Sequence, residues 1–240
     1  MSRVASLLEV PEPAASPAAR FSPGGRLAAA ATLVLGAGFQ LLAFIVEPAN
    51  DETIDRLRWV ADHPDRANLA KLCDVLAMPF LIGTALVYVL LSRERSPRLA
   101  YAAGTLLGFG LVGLSIVQGF ETLQFGLAQD GRFDLASLAD AIDDVTIPPA
   151  IAMIVLLLVG AFFGLLTMAV ALWRSGAVPR GAVLLIPAFV LVDIVLQQGL
   201  AGHAIQFVAA CWIAWTVLRA GRTAPDHPAE RGRPASEQGP

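Results

Sequence analysis

The chain of 240 residues is 56% hydrophobic and only 15% charged, against about 25% charged in an ordinary soluble domain, and its mean hydropathy is +0.64. So few Lys, Arg, Asp and Glu cannot cover the surface of a water-soluble domain of this size. A formal net charge of −3 speaks against nucleic acid as a partner, and two cysteines against a disulfide-stapled secreted domain. The composition predicts an all-α fold, a polytopic bundle of membrane helices whose first partner is the lipid bilayer.

Residues 1–26 are rich in Pro, Ala, Gly, Ser and charge without an apolar period, and are expected to be a disordered tail. They do not read as a signal peptide, because Val4 to Leu8 is too short for an apolar core and Pro11, Pro13 and Pro17 follow. Apolar runs of about 20 residues, the length that crosses ~30 Å of hydrocarbon, then predict six spans at about 27–46, 69–91, 99–125, 147–173, 181–198 and 202–218. The last two are separated only by Gly199, Leu200, Ala201 and Gly202. That stretch is expected to be the turn of a helical hairpin, with one long interrupted segment as the alternative. Residues 219–240 again have the composition of a disordered tail.

Lys and Arg fall unevenly between alternate connections. With the N-terminus inside, twelve lie on the cytoplasmic side and five outside, so the positive-inside rule places both termini in the cytoplasm. The two outer connections are expected to hold short helices, within 50–63 and 134–145. In the first, Ile54, Leu57 and Ala61 follow Asn50 at helical spacing and Trp59 is available for the interface. In the second, Leu135, Leu138, Ala139, Ile142 and Val145 form an apolar stripe behind Asp134, which reads as an N-cap.

A carboxylate deep in a span costs about 2.5 to 3.5 kcal/mol on insertion scales, which makes it a functional candidate. Asp193, about 18 Å into the fifth span by helical rise and flanked by Val192 and Ile194, is the clearest. Glu121 lies nearer the outer interface, and Asp74 follows Lys71 by three residues, a spacing that an i,i+3 ion pair explains. The neutral polar residues share this bias. Ser115, Gln118, Glu121 and Thr122 occupy one broad face of the third span, which Gly104 and Gly108 continue. Asp193 and Gln197 are four apart, His203 and Gln206 three apart, and Gly36, Gln40 and Glu47 make a line on the first span. Gln40, Gln118, Glu121, Asp193, Gln197, His203 and Gln206 are therefore the candidate ligand-binding residues of an outward-facing polar pocket walled by spans 1, 3, 5 and 6. Interhelical hydrogen bonding is the competing role for the glutamines. Asp193 with His203 would make a proton-linked pair.

No cofactor or metal is expected, since His63, His203 and His227 form no ligand spacing and the paired-Cys, His-Glu-x-x-His, phosphate-loop and nucleophile-elbow motifs are missing. The expected role is binding, sensing or transport of a small polar or cationic species, or a proton. The alternatives are a membrane enzyme, metal-assisted or not, acting on a lipid or lipid-linked substrate at the outer leaflet, and an assembly partner of another membrane protein. Cys73 and Cys211 differ in expected depth, which argues against a disulfide.

The stretch Leu172, Trp173, Arg174, Ser175, Gly176, Ala177, Val178, Pro179 and Arg180, ending the fourth span, resembles a group of six-helix bacterial integral-membrane proteins of unassigned function. The acidic connection after Glu47 and Pro48 and the carboxylate late in the third span are similar too. The resemblance implies the six-span layout over 27–218 and no site. Arg far above Lys, with Lys71 the only lysine, and abundant Ala and Gly suggest a bacterial source and a multi-pass place in the cytoplasmic membrane.

Overall fold

Four of the long helices begin on a proline, whose fixed φ suits the first helical position and whose missing N–H is not needed there. A computed structural model describes residues 21–48, 52–145 and 147–220. Its helices, in order, are α1 (Pro23–Val46), α2 (Thr53–Asp62), α3 (Pro64–Ser92), α4 (Pro97–Gln129), α5 (Leu135–Asp143), α6 (Pro148–Ser175), α7 (Arg180–Val190) with a π-helical turn (Leu191–Val195), and α8 (Gly199–Arg219). No strand occurs among the described residues. The tails expected to be disordered lie outside them except for 21–26, 219 and 220. There the chain is helical earlier than expected, with Ser22 Oγ accepting the Gly25 N–H and Pro23 opening α1.

Five helices, α1, α3, α4, α6 and α8, are long and apolar enough to cross a membrane, which makes this a multi-pass membrane protein in contact with the bilayer. Large apolar side chains point outward around the bundle, including Ile45, Leu86, Leu123, Ile151 and Val208, as lipid contact requires and water forbids. The segment expected as a fifth span is shorter than that. α7 has 11 residues and contains Pro187, which removes one backbone donor, and the π turn then widens the helix for five residues. The chain leaves it through Gln197 at φ 54°, with the Leu196 N–H donating to Leu191 O at 2.9 Å and the Gln198 N–H to Val192 O at 2.9 Å. The turn expected at Gly199 to Gly202 is therefore displaced to residues 196–198, and those glycines form the first turn of α8. Their small size serves packing: a β-carbon on Gly199 would meet the Phe44 ring at 2.5 Å, and one on Gly202 would meet Asp193.

α4 packs most extensively on α6, and α1 lies between α3 and α8. The α4–α6 crossing is built on Gly110, Gly113, Gly160 and Gly164, each of which sets backbone against backbone or against Leu107 or Leu157. Gly104 of the face expected to make close contact does so against Val89 of α3, whereas Gly108 meets nothing within 4 Å. One end of the bundle is filled by a main core around Leu33, Leu91, Met168, Leu172, Ile213 and Val217, all fully buried. There Gly176, at φ 61°, ends α6, and Arg95 Nη1 donates to the Ser175 carbonyl at 2.7 Å.

At the other end the two connection helices expected from the sequence are both present. α2 packs its apolar face on the ends of α3 and α4, and α5 packs on α2, burying Leu57, Val60, Ala67, Phe125, Ala128 and Ala139 in a second, smaller core. Thr53 Oγ1 donates to Asp143 Oδ1 at 2.6 Å and joins the two connections. Asp134 caps α5, accepting from the Ser137 N–H and hydroxyl at 2.9 and 2.8 Å. Trp59 stacks on His63 and lies under the Arg66 guanidinium.

Candidate functional site

Beneath this second core, five charged side chains from four elements meet. Lys71 of α3, with a side chain only 8% exposed, places its Nζ 2.6 Å from Glu121 Oε2, 3.0 Å from Asp74 Oδ2 and 4.0 Å from Glu47 Oε2, and donates to Gln118 Oε1 at 3.3 Å. Arg56 of α2 donates from Nε to Glu47 Oε1 at 2.6 Å and from Nη1 to Glu121 Oε1 at 3.1 Å. Both cations lie over the Phe125 ring, at 5.1 Å for Arg56 and 4.9 Å for Lys71. Burial by itself would pull the Arg56 guanidinium down, but Glu121 and Glu47 beside it hold it above its ordinary value, so it stays charged. Two cations thus serve three carboxylates, each of which has an ionic partner.

Asp193 differs. It projects from the π turn, and its Oδ1 lies 3.2 Å from His203 Nδ1 of α8. The same nitrogen is 2.9 Å from the Gly199 carbonyl, which can only accept, so Nδ1 carries a hydrogen that it donates to that carbonyl, with Asp193 alongside. The His203 ring is stacked on Phe44 at 4.1 Å and meets Phe189 edge-on at 5.5 Å. Among the described residues Asp193 has no Lys or Arg partner.

Two cavities that share lining residues lie among these groups. An outer one of about 730 Å³ is lined by Glu47, Arg56, Lys71, Glu121, Gln197 and neighbours. An inner one of about 320 Å³ is lined by Gln40, Thr84, Tyr88, His203 and Gln206 within a largely leucine wall. Phe44, Asp74, Gln118 and Asp193 line both and form the threshold between them. The seven residues singled out from the sequence are thus brought to one end of the bundle around one chamber, with Gln206 the one buried orphan: its Oε1 has no hydrogen-bond partner among the described residues.

The structure changes the expected wall. α3 and α6 contribute as well as α1, α4, the α7 segment and α8. Ser115 and Thr122 do not join it; they are exposed and donate back to Leu111 O and Gln118 O of their own helix. Sequence reasoning missed Arg56, Lys71 and Glu47 as chamber groups. The single lysine standing three residues before Asp74 was the available signal. Cys73 and Cys211 are free thiols. Among the described residues no three His, Cys, Asp or Glu side chains are grouped to hold a metal ion.

Compared with protein-family models, curated proteins and solved structures, the chain matches none.

Proposed function

We propose that the protein binds a small cationic or polar species, in order to sense or transport it, in the chamber whose threshold is Asp193. The observation that carries this is the contrast between carboxylates: Glu47, Asp74 and Glu121 are each matched by Lys71 or Arg56, whereas Asp193 has only the His203 ring. A carboxylate inside a bundle without a cationic partner is costly and is expected to face a ligand or a wet cavity. Each cavity, of about 320 and 730 Å³, also falls in the size range of small-molecule sites, about 300 to 1,000 Å³. In this reading α7 with its π turn is a sixth crossing, both termini are cytoplasmic by the distribution of Lys and Arg, and the chamber opens outward from a bacterial cytoplasmic membrane.

The test is calorimetric titration of methylammonium, potassium and sodium chlorides into the purified protein in lipid nanodiscs, for wild type and Asp193→Asn. Saturable binding of at least one cation, weakened about tenfold or more by the substitution, is the expected result. Binding that is equal in both proteins, or saturable for none of the three, overturns the proposal.

A further inference from the structure

The inner cavity poses a question that a bare cation does not answer. Beyond the threshold its wall is mostly aliphatic, with Leu81, Leu107, Leu111, Leu114, Leu157 and Leu165 around it, and a hydrated ion gains nothing from such a lining. Its polar contribution includes Gln206, whose Oε1 is itself sealed from the cavity. Asp193 at the threshold supplies negative charge beside the Phe44 ring.

We infer that the ligand is an amphiphilic amine: a protonated ammonium head that donates N–H bonds to Asp193, with a short hydrocarbon chain lying in the leucine-lined cavity. The inference rests on the reading of Asp193 as a cation site and adds the chemical class. A quaternary head would satisfy the charge but could give Asp193 no N–H, and a metal ion would leave the aliphatic wall empty.

The experiment is a chain-length series of methyl-, butyl- and hexylammonium, with hexyltrimethylammonium as the head-group comparison, titrated into the full-length protein in nanodiscs. Affinity is expected to rise with chain length by up to roughly fourfold per methylene, the value of burying one such group. Hexylammonium should bind more tightly than hexyltrimethylammonium, and Asp193→Asn should remove that preference. Filling the cavity with Leu114→Trp, or with Leu111→Trp should the first variant fold poorly, should flatten the series. If methyl- and hexylammonium bind equally and both depend on Asp193, the amphiphile is wrong and the cation site stands. If none of the amines binds saturably, the cation reading fails and this inference with it. A chain-length gain that survives both tryptophan variants puts the chain elsewhere and overturns the inference.

Discussion

Gly202 of α8 lies directly against Asp193 of the π turn: a β-carbon on the glycine would stand 2.5 Å from Asp193 Cβ and 2.9 Å from its Cα. No side chain fits between the two segments. The position of the chamber's one carboxylate without a cationic partner is therefore set by a missing methyl group on the neighbouring helix. Gly202→Ala should push the π turn away from α8, at a cost of about 1 to 3 kcal/mol, as overpacking does elsewhere, and should lengthen the contact between Asp193 and His203. A thermal unfolding midpoint equal to wild type in detergent would show that the two segments do not approach so closely.

Lys71 holds three carboxylates, at 8% side-chain exposure. Lys71→Met should leave Asp74 without a cation and Glu121 and Glu47 with Arg56 alone. Removing one partner of a buried ionic group typically costs about 3 to 5 kcal/mol. Arg58→Ala is the contrast, since Arg58 and Asp55 are 61% and 56% exposed and 3.4 Å apart; an exposed pair contributes about 1 kcal/mol or less. Unfolding midpoints measured side by side should separate the two variants clearly.

The α4–α6 crossing makes an equally direct comparison within one helix. A β-carbon on Gly110 would lie 2.7 Å from Ala161 N and 2.9 Å from Gly160 C, whereas one on Gly108 meets nothing within 4 Å. Gly110→Ala should separate the helices and destabilise by about 1 to 3 kcal/mol. Gly108→Ala should be neutral, or stabilising by up to about 1 kcal/mol through helix propensity. Equal midpoints for the two variants would contradict the described crossing.

The cap of α5 should give way only in strong acid. The Ser137 N–H and hydroxyl that bond to Asp134 hold its carboxyl below the usual carboxylate range. Because the folded value lies below the unfolded one, the cap's contribution is complete above the unfolded value near 3.8 and fades as pH falls through the folded one. Hydrogen exchange of α5 amides, corrected for intrinsic rates, should therefore stay constant from neutral pH to about pH 5 and lose protection only in stronger acid. Asp134→Ala should show the unprotected behaviour at every pH.

The long helices were readable because hydropathy over some 20 residues is a strong signal for a membrane segment, and each of five expected spans lies within or almost within one observed helix. The α7 segment was less so. Its apolar run is continuous with the residues after it, and a π turn has no periodic signature, so nothing in the pattern marked where Leu191 departs from the helix. Gly199 and Gly202 misled for a related reason: glycine punctuates chains in water, but between membrane helices it also permits close approach. The polar bias toward one end was legible residue by residue. The ionic partners were not, because Glu47, Arg56, Lys71 and Glu121 belong to four separate elements, and only the i,i+3 pair of Lys71 and Asp74 is written in local spacing.

The main core bears on what the chamber can do. Leu33, Leu91, Met168, Leu172 and Ile213, all without solvent exposure, fill the bundle at the end away from α2 and α5. On the proposed reading, a cation carried straight along the bundle from the chamber would have to part that layer, so passage by that route would be governed by how readily the layer opens.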